Sequence, residues 1–229
     1  MKLSEPSSLC STPATPSETD ASYAYTYIKD RLMRGGFPPG ARVTEQQVAE
    51  DIGASRTPVR EALRKLVAEG FLRFKPNVGT FVATWTKAEI VELFDVRVMI
   101  ESAVAAAAAE RISDEQVALL ARLQDQIESR GADMSEENLA RIWSINRQFH
   151  QTIAEASQSA RLVSMLGNAI EQPVVQKTFN LYSVDELHRS FLHHRELLEA
   201  LKFRDVEWAR DSMRCHVRAA KHAYVNGLT

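Results

Sequence analysis

The sequence predicts a mostly α-helical protein with an N-terminal winged helix-turn-helix, made of three helices and a β-hairpin wing, and an all-α antiparallel helical bundle behind it. Two observations predict this fold. Three short helical segments and a strand-turn-strand pattern follow one another near the N-terminus, and from Thr86 onward the apolar spacing is helical with no strand pattern. We therefore divide the chain into a flexible tail over 1–21, a winged helix-turn-helix over 22–84 and an all-α domain over 85–229.

The bulk composition fits this division. The apolar fraction of 45% is enough for packed cores, and no apolar run approaches the ~20 residues that a membrane helix needs. The Ser/Thr/Pro-rich N-terminus lacks the apolar centre of a signal peptide. Two cysteines, Cys10 and Cys215, make no disulfide framework, so we expect a cytoplasmic protein without a membrane segment.

Helix starts and stops mark the first domain. The segment "YAYTYIKDRLM" has a helical apolar face and is stopped by a Gly-Gly pair. Thr44 is a predicted N-cap for a second helix that ends at Gly53, and Ser55 begins a third with Pro58 in its first turn. Gly70 ends that helix. The following "FLRFKPNVGTFV" has two strand-like runs around a Lys-Pro-Asn-Val-Gly turn, which indicates a wing.

Charge is unevenly distributed between the two domains. Residues 22–85 carry ten Lys/Arg against six Asp/Glu, whereas residues 86–229 carry seventeen against twenty-one. A basic front domain on an acidic body favours a polyanionic partner for the front domain alone.

The third helix concentrates this positive charge on one face. Its apolar residues take the buried side, and the opposite side or first turn holds Arg56, Thr57, Arg60 and Arg64. Arginine forks suit phosphates and the O6/N7 edge of guanine, and a helix N-terminus adds its own N–H groups for phosphate. The alternative is a solvated basic face paired with Glu61 and Glu69.

The segment "PPGARVTEQQVAEDIGASRTPVREALRKLVAEGFLRFKPNVGTFV" resembles the DNA-binding domain of the GntR family of bacterial transcription regulators, above all in "SRTPVREAL" and "GTFV". The resemblance implies a homodimer that reads a short palindromic double-stranded DNA operator. It places the usual base and phosphate contacts on Arg56, Thr57, Arg60 and the wing residues Asn77 to Gly79. Where the family often has an arginine early in the second helix, this chain has Gln46.

Capping signals predict the helices of the second domain. "TKAE" at 86–89 is a capping box that opens a helix, "SDEQ" at 113–116 and "SVDE" at 183–186 open two others, and Ser135 opens a further helix. Another helix, over 161–170, is expected to be broken or bent by Pro173, and the last helix runs from about Asp205 to Val225.

Polar residues lie on or beside the apolar stripes of three of these helices. They are Asn146, His150, His194 and His216. A buried imidazole costs free energy unless its nitrogens are paired, so a shared metal explains three of them more economically than three separately satisfied core histidines. Neutral imidazole suits Zn, Ni, Cu or Fe; we expect zinc or nickel. The remaining histidines, His188, His193 and His222, lie off the stripes and are expected at the surface.

Arg97 is open to two interpretations. It lies one turn after the inward-facing Leu93 and one turn before Glu101. It could be only an intrahelical ion-pair partner of Glu101. It could instead turn into the bundle and bind the carboxylate of a small-acid effector.

The segments "DVRVMIES", "NRQFH" and "HRELLEALKFRDVEWARDSMRCHV" resemble the FCD ligand-binding domain of FadR-type GntR regulators. Many such domains bind a metal through an Asp-x3-His pair and two later histidines, which implies Asn146, His150, His194 and His216 here. Asparagine at the aspartate position is a departure, and a neutral amide is the weaker ligand.

Together these features predict a metabolite-responsive transcription regulator and not an enzyme. Two alternatives remain open. A histidine-rich site with open positions could activate water in a metal-dependent enzyme, although no general base stands beside it in a recognisable motif. An architectural DNA-binding protein would need neither effector nor metal.

Overall fold

The computed structural model describes residues 18–131, 133–170 and 173–227. These divide into two compact units between Thr84 and Trp85, each with its own hydrophobic core. Of the predicted tail, residues 1–17 with Cys10 lie outside the described residues, while 18–21 belong to the first helix.

The first unit is a winged helix-turn-helix, as predicted. Its helices are α1 (Glu18–Met33), α2 (Glu45–Ile52) and α3 (Arg56–Ala68), and its strands are β1 (Arg42–Val43), β2 (Leu72–Lys75) and β3 (Gly79–Val82). The strands form an antiparallel sheet in the order β1-β3-β2. The β2–β3 hairpin is the predicted wing, whereas β1 was not predicted.

Local chemistry explains the ends of these helices. The Thr44 hydroxyl accepts from the backbone N–H of Gln47, and Gly53 ends α2 in the left-handed conformation with φ of 65°. Ser55 stands at the N-cap position of α3, but its side chain makes no capping hydrogen bond. The first N–H groups of α3 therefore have no side-chain cap.

The second unit is the predicted antiparallel helical bundle. Its helices are α4 (Lys87–Arg111), α5 (Asp114–Ser129), α6 (Glu136–Ala156), α7 (Ala160–Ile170), α8 (Pro173–Leu181), α9 (Val184–Lys202) and α10 (Val206–Asn226). The predicted capping box is present at the start of α4, and α5 and α9 begin where predicted and also have capping boxes. Pro173 begins α8 as a separate helix, so the prediction of one broken or bent helix there is replaced by two helices.

The longest helices surround the polar residues of the bundle. Helix α10 packs along α4, and an ion pair of 2.6 Å between Lys221 and Asp95 shows that the two run antiparallel. The bundle core includes large buried side chains from α4, α6 and α9, such as Phe94, Phe149 and Leu197. No helix in the described part of the chain is long and apolar enough to cross a membrane.

Candidate DNA-binding surface and candidate metal centre

Helix α3 has one buried and one exposed side. Val59, Leu63 and Leu66 are buried in the core of the first unit. The exposed side and first turn hold all four predicted contact residues of the helix, namely Arg56, Thr57, Arg60 and Arg64. This side is therefore accessible to a polyanion.

Arg60 is held by α2. Its Nε donates to Glu45 Oε1 at 2.7 Å and its Nη2 donates to Glu45 Oε2 at 2.8 Å. Arg60 lowers the pKa of the Glu45 carboxyl, and the charges of Arg56 and Arg64 lower it further. The two-point contact fixes the guanidinium in the fork geometry that also suits phosphate or guanine.

Of the two acids that the alternative paired with this helix, Glu69 makes its contacts with α1. Glu69 accepts a hydrogen bond of 2.6 Å from the Tyr25 hydroxyl and lies 3.7 Å from Lys29, both on α1. Glu61 is exposed. Glu69 therefore contacts α1, and Glu45 on α2 is an acid that contacts the basic face.

The wing exposes Asn77, which adopts a positive φ of 61° in the turn. Gly79 has a φ of 132°, and a Cβ there would lie 2.8 Å from Nε of Arg42 on β1. Gln46 is exposed near the start of α2, where its amide donates to Glu50 at 2.9 Å. Sequence reasoning missed Arg42, an exposed cation beside the wing, because β1 becomes visible only through its pairing with β3.

The second unit brings three predicted histidines together. One nitrogen each of His150 (α6), His194 (α9) and His216 (α10) lies within 4.8 Å of the others. All three side chains are buried, and the ring centres of His194 and His216 are 4.6 Å apart. The helical stripes of α6, α9 and α10 therefore converge on one cluster.

Polar contacts from outside the cluster orient two of these rings. The amide nitrogen of Gln124 on α5 donates to the Phe191 carbonyl and to Glu128, so its oxygen is left to accept from His194 Nδ1 at 3.0 Å. His150 Nδ1 lies 3.1 Å from Glu101 Oε2, and a carboxylate can only accept. The His194 ring thus carries its proton on Nδ1, which leaves its Nε2 as a lone-pair donor.

Two nitrogens of the cluster are left unsatisfied. Neither His194 Nε2 nor His216 Nδ1 has a hydrogen-bond partner among the described residues, although both are buried. A buried polar atom without a partner costs about 1–3 kcal/mol. Three imidazoles facing one another with two unpaired nitrogens are the donor set that a divalent transition metal would satisfy.

Electrostatics keeps the cluster suited to a cation. Burial lowers the pKa of His194 and of His216 well below the ordinary range, and neighbouring histidines lower both further. Burial alone would raise the pKa of Glu101, but Arg97 and His150 more than offset it and hold that pKa at about 2. At neutral pH the site therefore has neutral His194 and His216 rings beside an ionised carboxylate.

Arg97 forms the predicted ion pair and also lies at a cavity inside the bundle. Its Nε donates to Glu101 Oε1 at 2.7 Å, which is the intrahelical ion pair. It also lines a cavity of about 20 Å³ together with Asn146, His150, His216 and others, which is room for about one water molecule. The guanidinium and Asn146 therefore lie at the same cavity as two of the imidazoles.

Three further polar residues line this cavity without having been predicted: Thr178, Tyr182 and Ser190. Burial raises the pKa of Tyr182 to about 12, so its hydroxyl stays protonated. A wider groove of about 300 Å³ shares Tyr182, Ser190 and His216 with the cavity and adds Arg189. Their helix positions gave no signal, since Tyr182 follows α8 and Ser190 is a small polar residue on α9.

The other histidines follow the prediction with one exception. His188 and His222 are exposed. His193 is only half-buried, but its Nδ1 is buried without a partner in the described chain, and its ring centre lies 6.1 Å from that of His216. His193 is therefore a neighbour of the cluster and not an ordinary surface residue.

Comparison with known proteins identifies both units. The sequence matches the FCD domain over residues 92–219 and the gntR family of bacterial regulatory proteins over residues 21–82. The chain belongs to the GntR family and carries an FCD domain. This GntR-family chain is thus a transcriptional regulator with a DNA-binding helix-turn-helix in its first unit.

Relatives cover most of the GntR-family chain. It is 25% identical to the uncharacterized HTH-type transcriptional regulator YdhC of Bacillus subtilis, over 84% of this chain and 85% of that protein. It is 29% identical to the HTH-type transcriptional regulator McbR of Escherichia coli, over 80% and 82%. The solved structure of E. coli McbR/YncC matches with a TM-score of 0.75 at 24% identity, covering 92% of this chain and 99% of that one.

Proposed function

We propose that this regulator is a metabolite-responsive homodimer that binds a palindromic operator and senses a small organic acid through a metal in its FCD domain. The observation that carries the proposal is the buried cluster of His150, His194 and His216 beside the Arg97 guanidinium. A cation and a fixed guanidinium around one cavity are complementary to a carboxylate. The proposed regulator works in the cytoplasm, where bacterial operator DNA lies.

The three imidazoles would hold the metal, and the Asn146 amide oxygen, which lines the same cavity, is a candidate for a weaker fourth ligand. Zinc or nickel suits this nitrogen-rich set. When bound, the metal supplies a Lewis-acidic position for a carboxylate oxygen. Gln124 and Glu101 orient the His194 and His150 rings, which is the role that outer hydrogen-bond partners play around metal ligands.

The effector would be small, and side chains around the cavity would have to move before it could bind there. The cavity of about 20 Å³ holds no organic acid as it stands, whereas the adjoining groove of about 300 Å³ has room for one. Tyr182 and Ser190 line both the cavity and the groove, so displacement of these two side chains would join the cavity to the groove. Such an opening moves the start of α9 and gives the effector a means of favouring one conformation over another.

The DNA-binding part of the proposal concerns the operator contacts. Arg56, Thr57, Arg60 and Arg64 would contact the major groove and its phosphates, with Asn77 and Gly79 of the wing on the flanking backbone. Gln46 would replace an arginine contact with a neutral one. A homodimer would present two such surfaces, which is why a palindromic operator is expected.

Metal analysis and a ligand screen test the proposal together. The protein is purified without a metal-affinity tag, its zinc and nickel content is measured, and thermal shifts are recorded with small carboxylates before and after chelation. We expect bound metal, and a carboxylate shift that chelation abolishes. Gel shifts with upstream DNA of its own gene then measure whether that carboxylate changes DNA affinity.

The same experiment separates the alternatives. Chemical turnover of a stabilising carboxylate would point to an enzyme. A metal-free protein whose DNA affinity no carboxylate changes would point to an architectural DNA-binding protein. Either result contradicts the proposal.

A further inference from the structure

One face of the three-stranded sheet carries all of the charged residues of its strands. Residues that pair across antiparallel strands point to the same side of a sheet, and Arg42 of β1 and Arg73 of β2 both pair with Phe81 of β3. Lys75 pairs with Gly79, two residues before Phe81, and therefore lies on the same side. The strands contain these three cations and no acid.

The other face of the sheet packs on the helices. Val43 and Leu72, each next to one of these arginines along its strand, point to that side and are buried in the core of the first unit. By contrast, Arg42, Arg73 and Lys75 are all exposed. The face that they share, called the basic sheet face from here on, is therefore accessible to a partner.

Two of the cations lie over the central strand. The Arg42 guanidinium lies so close to Gly79 that a Cβ there would be 2.8 Å from its Nε. The Lys75 ammonium lies 5.3 Å from the centre of the Phe81 ring. Because Gly79 and Phe81 are two residues apart on β3, both cations lie near the end of that strand at which the wing turn joins it.

The basic sheet face lacks the kind of acid that holds Arg60 on α3, which has Glu45 at 2.7 Å. In the described part of the chain, neither Arg42 nor Lys75 has a carboxylate within ion-pair distance. Like charges on one small surface repel each other, and a bound anion removes that repulsion. The face is therefore complementary to an anion.

Protection of the sheet edges is the other use of charged residues on such strands. Strands β1 and β2 are both edges, because the order is β1-β3-β2. Edge protection works with charges of either sign, whereas all three charges here are positive. It also gives no reason for Arg42 to occupy the space that a side chain at Gly79 would need.

We propose that the basic sheet face binds backbone phosphates of the operator beside the stretch that α3 and the wing contact. Arg42 and Lys75 would hold one phosphate over β3, and Arg73 would reach a neighbouring one. Arg42 and Arg73 are two strand spacings apart, or about 10 Å, and phosphates recur about every 3.4 Å of helix axis along one DNA strand. The inference extends the operator contacts proposed for α3 and the wing, and therefore rests on that part of the proposed function.

A DNA backbone fits this face better than a free anion does. The wing turn with Asn77 begins directly after Lys75 and ends at Gly79, so the basic sheet face continues the surface that the wing presents to DNA. A free anion on an exposed face stays largely hydrated. A row of phosphates instead meets several cations at once and releases condensed counterions.

The salt dependence of DNA binding tests the surface directly. The full chain, Arg42→Gln, Lys75→Gln and the double variant are titrated by fluorescence anisotropy against a short duplex of mixed sequence and against duplex DNA from upstream of the regulator's own gene. Each lost phosphate contact should weaken binding about fivefold at physiological salt and lower the slope of log K against log salt by about 0.9. We expect both duplexes to lose the same factor, because phosphate contacts carry no sequence information.

Two control variants separate charge at this site from other effects. Arg42→Lys combined with Lys75→Arg keeps both positive charges and should keep the wild-type slope. Arg122→Gln combined with Arg141→Gln removes the same charge from exposed positions on α5 and α6 and should change neither affinity nor slope. Circular dichroism and a melting curve of each variant show whether the fold is retained.

Each unexpected result overturns a defined part of the argument. A folded double variant with the wild-type slope would overturn the basic sheet face, and a loss of binding by Arg60→Ala in the same assay would leave the α3 contacts standing. Weaker binding of the upstream DNA alone would overturn phosphate binding in favour of a base contact. An equal loss in the α5–α6 control would make the effect one of net charge and overturn the site. A wild type that binds neither duplex would overturn both the inference and the proposed operator contacts.

Discussion

Arg60 shows how one residue joins local structure to DNA recognition. It projects from the exposed side of α3, and Glu45 holds its guanidinium at two points. We expect Arg60→Ala to weaken operator binding by about 1–3 kcal/mol if the fork contacts a guanine edge. Gel-shift titration at fixed salt measures the change, with Arg141→Ala on α6 as the control. Equal affinity of Arg60→Ala and wild type would remove Arg60 from the interface.

His194 is the central residue of the metal proposal. It is 1% exposed, and its Nε2 is one of the unpaired nitrogens of the cluster. We expect His194→Ala to lose the metal while the winged helix stays folded, because the first unit has its own core. Elemental analysis compares it with His188→Ala, an exposed histidine on the same helix. Equal metal content in both variants, or a metal-free wild type, would refute the assignment.

Gln124 tests whether ring orientation matters for the metal. It is fully buried and accepts from His194 Nδ1. We expect Gln124→Leu to lower metal affinity about 10–100-fold, since the ring loses the partner that fixes its proton. Competition with a chromophoric chelator measures the dissociation constant, and the melting curve shows whether the bundle persists. An unchanged dissociation constant in a folded variant would mean that the hydrogen bond serves packing alone.

At the scale of elements, local signals predicted the helices better than the short pieces between them. The capping signals gave the starts of α4, α5 and α9, because a capping box needs only two residues three positions apart. Strand β1 has two residues and exists through its pairing with β3, which lies more than 35 residues later in the chain. Pro173 was read as a break, yet proline is tolerated in the first turn of a helix, where α8 begins.

For the candidate site too, the sequence predicted what depends on one helix and missed what depends on contacts between helices. Helical spacing predicted which histidines face inward, because that depends only on position along one helix. It could not predict that Gln124 on α5 reaches His194, or that Glu45 reaches Arg60, because those contacts depend on how helices pack. A lone glutamine within the apolar stripe of α5 was the only available signal for Gln124.

The wing gives a prediction at this scale. Gly79 begins β3 with a φ of 132°, and a Cβ there would lie 2.8 Å from the Arg42 guanidinium. We expect Gly79→Ala to displace Arg42 or distort the wing, at a cost of about 1–3 kcal/mol in strain, and to weaken operator binding. Gly53→Ala is the control, because Gly53 also has a positive φ but nothing within 4 Å of an added Cβ. Gel shifts and melting curves compare the operator affinity and the stability of the two variants. Equal operator affinities would show that the wing tolerates the Cβ.

At the scale of the whole molecule, regulation requires a coupling free energy between the effector site and the DNA-binding surface. Such couplings are typically about 1–3 kcal/mol and are reciprocal for binding. An effector that weakens operator binding tenfold must itself bind tenfold more weakly to the operator complex. Effector titrations with and without operator DNA therefore measure the same quantity from both sides, and unequal factors would show that a linked step is missing.

The last prediction separates the metal from the acid. Asn146→Asp should tighten the metal, because an anionic oxygen replaces a neutral one, but should not strengthen effector binding, since the added charge repels a carboxylate. Arg97→Ala should do the reverse, with a loss of about 2–5 kcal/mol in effector binding if a buried charge pair is broken. Because this change also leaves Glu101 buried without its cation, the metal dissociation constant of the variant checks that the cluster remains intact. Calorimetry of both variants with the identified carboxylate measures the two affinities. If Arg97→Ala keeps both the metal and normal effector affinity, Arg97 serves only as the ion-pair partner of Glu101, and the acid is bound without it.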